Sequence, residues 1–201
     1  MKATFFERAT AYIIDFLIIS ILLSIICYNI PTNNVKKYEK EMEEITNKFV
    51  DQEITEKEYI SKYSNILYNN QKSNVLVTEI TVAVIIAYFV IFQYMNKGQT
   101  LGKKLMKIKI VNRTTKKPIT IFKGFIRSMF IYNVASSIIG IILIYITNIK
   151  NYFIFYGTIS GLESLFILIT IFFVLYRKDS RGIHDMMANT EVIKVVKEGR
   201  W

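Results

Sequence analysis

The chain has 201 residues, 52% of them hydrophobic, and a formal net charge of +10. A soluble domain of this size needs a polar shell, so the apolar excess points away from one and toward a membrane protein. The single cysteine, Cys27, excludes an intramolecular disulfide and any zinc site built on cysteines; in its apolar run it reads as a small buried hydrophobe.

The first apolar run lies in "FERATAYIIDFLIISILLSIICYNI". Asp15 interrupts it, the run continues to Ile30 without an Ala-x-Ala-like site, and "SII" before Cys27 is no lipoprotein signal, so the helix is expected to stay. Crossing a bilayer takes about 20 mainly apolar residues. Four stretches meet that length, at about Ala9–Ile30, Val75–Met95, Ile121–Thr147 and Tyr152–Tyr176, none with an internal proline. Only "NIKN" separates the last two, which predicts a tight antiparallel hairpin.

Between the first two spans lies a charged insertion, residues 31–74. Met42, Ile45 and Phe49 fall on one helical face, and Thr55 with Glu58 has the spacing of a capping box before Tyr59, Tyr63 and Ile66. The expectation is an amphipathic helical pair, either lying over the outer mouth of the bundle or standing as a solvated hairpin. In the 96–120 loop, "MKIKIVN" alternates Met106, Ile108 and Ile110 with Lys107 and Lys109, a strand period, and "NRTTKKP" reads as a turn. The 177–201 tail contains a second strand-like run, "TEVIKVV", which predicts a small sheet joining loop to tail beneath the bilayer. The fold class is therefore an all-α membrane protein of four transmembrane helices, with an outer helical insertion and a small cytoplasmic sheet, in one domain.

Charge orients it. Ten Lys or Arg and no acid lie from Lys97 to Arg127, against seven Lys and eight acids from Pro31 to Asn74. Cytoplasmic loops retain cations, so the first segment and both termini are expected inside and the insertion outside. The positive surplus then reflects topology and anionic lipid headgroups at the cytoplasmic face, with no nucleic-acid partner.

Charges within the spans stand out, because an intramembrane charge costs about 2.5–3.5 kcal/mol on insertion scales. Arg8 can extend to the headgroups, whereas Asp15 is two turns deeper and must be neutralised, hydrated or paired. Arg127 lies about six residues, or about 9 Å, inside the third span, matching the depth of Asp15. An Asp15–Arg127 ion pair is the expectation. Asp185 in "RGIHDMMANTEVI" belongs at the cytoplasmic membrane edge, within reach of Arg8. His184, the one histidine, makes no metal site alone and reads as a surface or interfacial residue. Glu163 lies near mid-membrane among Gly157, Ser160, Gly161 and Ser164, with Asn133, Ser136 and Ser137 as polar neighbours on the third span.

These residues carry a family pattern. Through "RATAYIID", "KGQTLGKKLMKIKIVN", "FIR" and "RGIHDMMANTEVI" the chain resembles the RDD family of small bacterial multi-pass membrane proteins, named for an arginine and two aspartates. Arg8 occupies the family's arginine, Asp15 its first aspartate and Asp185 its second. The resemblance implies a membrane location; cation/proton antiport has been proposed within the family. The 31–74 insertion and Glu163 lie outside the common pattern.

Enzymatic readings find no support: there is no nucleophile elbow, zinc-ligand cluster or paired catalytic carboxylate, and no cofactor is implied. "GQTLGKK" departs from phosphate-loop spacing, and Thr100 and Gly102 are expected to shape the entry to a strand. Two readings stay open. One is cation/proton transport along Asp15, Glu163 and Asn133, with Arg127 modulating Asp15 and a homo-oligomer completing the pathway. The other is a membrane scaffold or partner-binding protein, in which Arg8, Asp15, Arg127 and Asp185 form a structural polar cluster.

Overall fold

A computed structural model describes residues 1–28, 30 and 33–195. The tail beyond Val195 and the insertion's first two residues, Pro31 and Thr32, lie outside the described residues.

Thr4 starts the first helix. Its hydroxyl accepts from the Glu7 N–H at 3.3 Å, and the Glu7 carboxylate accepts from the Thr4 N–H at 2.8 Å, which satisfies two free donors of the helix start. The helix, α1, runs Phe5–Cys27. Its buried residues, Ala11, Asp15 and Ile19, recur every fourth position and form one stripe, while Ile13, Phe16, Leu17, Ile21 and Ile25 are exposed. One protein-facing stripe on an otherwise apolar helix suits a lipid surround.

The insertion is helical. α2 (Asn33–Val50) and α3 (Glu56–Ser73) fold back on one another, joined through the Thr55–Glu58 capping box and a Phe49–Tyr59 stack at 4.6 Å. The pair is docked on the bundle: the Tyr68 hydroxyl donates to the Ile144 carbonyl at 2.7 Å, and the Tyr152 hydroxyl bonds Gln71.

α4 spans Val75–Met95 and includes a π-helical turn over Ala87–Phe92. The wider turn buries Tyr88, Phe89 and Val90 in succession, which a regular helix face would not do. A turn through Gly98 then leads into the short helix α5 (Leu101–Leu105), which directly precedes the strand this segment was expected to introduce. Thr100 is its N-cap.

β1 (Ile108–Asn112) pairs antiparallel with β2 (Thr190–Lys194), in the register Ile108↔Lys194, Ile110↔Val192 and Asn112↔Thr190. The N-terminus joins them: the Ala3 N–H donates to the Val192 carbonyl at 3.1 Å, and the Lys194 N–H to the Met1 carbonyl at 2.9 Å. Ala3, Ala11, Ile108, Ile110, Ile119 and Val192 close a small core between this sheet and α1.

The predicted third span is not one straight helix. α6 (Ile121–Ile131) and α7 (Val134–Ile146) meet at 72°, with Asn133 left-handed at φ 54°. No proline or glycine marks the break; asparagine is among the few residues that enter this conformation readily. α8 (Ile149–Tyr176) starts three residues before the expected position, because Asn148 caps it by accepting from the Asn151 N–H at 2.9 Å. A short helix, α9 (Ile183–Met187), precedes β2. Among the described residues, three helices, α1, α4 and α8, are long and apolar enough to cross a membrane, with a fourth span if the bent α6–α7 pair is one.

Candidate functional site

Two fully buried carboxylates organise the end of the bundle that carries the sheet. Asp15 is met by α5, which folds back onto α1. Thr100 donates its hydroxyl to Asp15 Oδ2 at 2.5 Å, and the Gly102 N–H donates to Oδ1 at 2.7 Å. From the π turn of α4, the Tyr88 hydroxyl donates to the same Oδ1 at 2.7 Å and itself accepts from the Leu101 N–H at 3.1 Å. Lys103 Nζ lies 3.7 Å from Oδ2 and 5.7 Å from the centre of the Phe89 ring. Burial lowers the Lys103 pKa to about 8, against the opposing pull of Asp15.

The fit is close because residue 102 is glycine. A Cβ there would stand 2.2 Å from the Ala11 carbonyl oxygen and 2.8 Å from Asp15 Oδ1. Gly98, at φ 90°, likewise turns the chain where a Cβ would meet the Ile110 carbonyl oxygen at 2.1 Å.

Asp185 is held from every side. Arg127 Nη1 pairs with Oδ1, and Arg8 Nη1 donates to Oδ2 at 3.1 Å. The Gly182 N–H donates to Oδ2 at 3.2 Å, and Thr190 Oγ1 lies 3.2 Å from Oδ1 while accepting from Arg127 at 2.6 Å. His184 Nε2 is 3.3 Å from Oδ2. Of the surface or interfacial positions expected for it, the surface one is excluded: His184 is buried. Desolvation first, then the Arg127, Arg8 and Lys103 cations, holds its pKa well below the ordinary imidazole range, so it is neutral.

Arg8 and Asp185 thus meet, but the expected Asp15–Arg127 pair does not form. Depth along parallel helices does not fix which way a side chain faces, and α5 occupies the face of α1 that carries Asp15. Arg127 turns to the tail instead. The sequence reading missed Tyr88, Thr100 and Lys103 as partners of Asp15. The "GQTLGKK" segment was the available signal, a polar, glycine-flanked run next to a buried acid that lacked donors.

Glu163 is buried, its carboxylate beside Ser136 without completing a hydrogen bond to it, and neither oxygen has a partner among the described residues. Asn133 is exposed at the α6–α7 bend, on the rim of a cavity of about 380 Å³ that separates α1 from the second half of α8. Arg8, Tyr12, Lys103, Arg127 and His184 also line that cavity; Asp15 and Glu163 do not. Among the described residues, no group of three His, Cys, Asp or Glu side chains is placed to hold a metal.

Long apolar helices stitched together by buried ionic groups define an integral membrane protein. The sequence model of the RDD family matches residues 2–189, nearly the whole chain, and the chain belongs to that family. No curated protein and no solved structure matches it.

Proposed function

We propose that the chain is a non-enzymatic scaffold of the bacterial plasma membrane, crossing it four times with the bent α6–α7 pair as one crossing. Its termini and the basic 96–120 segment face the cytoplasm and the 31–74 insertion faces outward; the distribution of Lys and Arg supports this orientation. One observation carries the scaffold reading: both family aspartates are saturated by fixed donors. Asp15 accepts from two hydroxyls and a backbone N–H, with Lys103 a further 3.7 Å ion-pair partner, and Asp185 accepts from two arginines and a backbone N–H, with the Thr190 hydroxyl 3.2 Å away. A carboxylate that must bind and release a cation on each cycle needs free lone pairs, and these have their partners within the fold. The clusters instead tie loop, tail and N-terminus to the spans, leaving the basic sheet to meet anionic headgroups and the α2–α3 pair to meet a protein partner.

A second reading, cation/proton transport in a homo-oligomer, is favoured by Glu163, whose buried oxygens have no partner among the described residues. Proton and sodium flux in proteoliposomes decides between the two. The scaffold reading expects wild type, Asp15→Asn and Glu163→Gln all to match protein-free vesicles. Sodium-driven proton flux in wild type that Glu163→Gln abolishes, with the variant folded and inserted, would establish transport instead.

A further inference from the structure

The cavity between α1 and α8 has an unbalanced charge. Three cations, Arg8, Lys103 and Arg127, stand at it or at the two carboxylates beside it, Asp15 and Asp185. The neutral His184 adds no anion. Two further acids lie near Arg8, but both are engaged elsewhere: Asp179 by Arg177 at 3.0 Å and Arg181 at 2.9 Å, and Glu191 by Lys116. One positive charge is left over in a region sheltered from water, and an uncompensated buried charge is costly.

The surplus sits on a particular edge. Arg8 donates to Asp185 through Nη1, while Nε and Nη2 are buried and have no partner among the described residues. Those two nitrogens form one side of the guanidinium, with two parallel N–H vectors that match a pair of phosphate oxygens. Thr170 Oγ1, on the α8 wall of the same cavity, is buried and equally without a partner. Beyond the polar lining of Tyr12, Lys103, Arg127, Tyr132, Asn133 and His184, the facing walls of the two helices are apolar, built by Phe5, Ala9 and Ile13 of α1 and by Ile167, Ile171 and Val174 of α8. Ile13 and Ile171 are 57% and 40% exposed, so the apolar walls continue onto the outward faces of two membrane-type helices.

We propose that this cavity binds an anionic phospholipid, its phosphate on the free Nε–Nη2 edge of Arg8 and the start of an acyl chain between α1 and α8. Its size, about 380 Å³, is within the ordinary range for a small-molecule site. Basic pockets between membrane helices are where anionic headgroups are recognised. The phosphate supplies the missing negative charge, and the two unpaired arginine donors gain acceptors. A free phosphate ion would meet the same edge but leave the apolar walls uncovered, which is why the lipid is the assigned occupant. Neither scaffolding nor transport is assumed.

The test uses the full chain, purified in detergent and delipidated. It is titrated with phosphatidylglycerol, with phosphatidylcholine of the same chains, and with inorganic phosphate; bound lipid is counted by native mass spectrometry. Two variants accompany it. Arg8→Lys keeps the charge and removes the two-pronged edge, while Ile171→Trp fills the cavity without touching any charged group. The expected result is one phosphatidylglycerol per chain, with phosphatidylcholine and phosphate each about tenfold weaker. Both variants should bind phosphatidylglycerol about tenfold more weakly, with the lipid-free melting temperature of Ile171→Trp unchanged. Equal affinity for the two lipids would overturn the proposal, as would undiminished phosphatidylglycerol binding by folded Ile171→Trp. Phosphate binding as tightly as phosphatidylglycerol would overturn the lipid assignment in favour of a free anion.

Discussion

Replacing Gly102 by alanine tests whether Asp15 is held by α5. The added Cβ would lie 2.2 Å from the Ala11 carbonyl oxygen, and that oxygen belongs to the backbone of α1 and cannot swing aside. Relief requires α5 to withdraw by about 1 Å, which stretches the Gly102 N–H bond to Asp15 from 2.7 Å to beyond hydrogen-bond length. The Thr100 hydroxyl is two residues away and moves with it. Hydrogen bonds to a charged group contribute about 1.5–3 kcal/mol each, so losing these two in Gly102→Ala should cost about 3–6 kcal/mol. Folded proteins have about 5–15 kcal/mol in all. At this chain length that loss lowers the melting temperature by about 6–24 °C, followed by far-ultraviolet circular dichroism in one detergent. Gly157→Ala is the matched control: no atom lies within 4 Å of its Cβ position, and a helical Ala for Gly exchange gains about 0.5–1 kcal/mol. If Gly102→Ala melts within a degree or two of wild type, α5 does not grip Asp15.

Three further perturbations follow from the same geometry. Asp185→Asn and Arg127→Gln should each cost about 3–5 kcal/mol by stranding a buried partner, and their double mutant less than the sum. The same cycle run between Arg127 and Asp15 should show a much smaller coupling; equal couplings would restore the pair expected from depth alone. His184 is neutral when folded and has an ordinary pKa when unfolded, so below about pH 6.5 only the unfolded chain gains the proton. Stability should therefore fall on acidification by up to about 1.4 kcal/mol per pH unit, and melting from pH 7 to 5 should show a shallower slope in His184→Asn; an unaltered slope would exclude His184 as the cause. Tyr68→Phe removes the donor to the buried Ile144 carbonyl and should cost about 1–3 kcal/mol, seen as faster protease cleavage between α2 and α3.

Much of the frame could be read from the residues because it rests on periodicity. The apolar runs became α1, α4 and α8, and the alternation in "MKIKIVN" and the β-branched run in "TEVIK" became the paired strands. The Thr55–Glu58 spacing predicted a cap that the structure contains. The break at Asn133 was not legible, since the left-handed residue there is not glycine and the apolar pattern continues on both sides of it. Nor was the π turn in α4, where Tyr88, Phe89 and Val90 are all apolar enough to suit any face of a membrane helix.

The misassigned partner of Asp15 shows why a buried charge in such a chain is hard to place from sequence. Matching depths supplies one coordinate of three. A search for the nearest opposite charge also omits the neutral donors, and around Asp15 these do most of the work: Tyr88, Thr100 and the Gly102 N–H approach closer than the lysine does. Neutral donors satisfy a carboxylate without burying a second desolvated ion, so they solve the problem at lower cost than a long arginine brought in from another span. Arg127 is thereby released to meet Asp185 with Arg8, and with two arginines on one aspartate the Nε and Nη2 of Arg8 have no partner among the described residues. The local solution at one aspartate thus sets the charge surplus at the other.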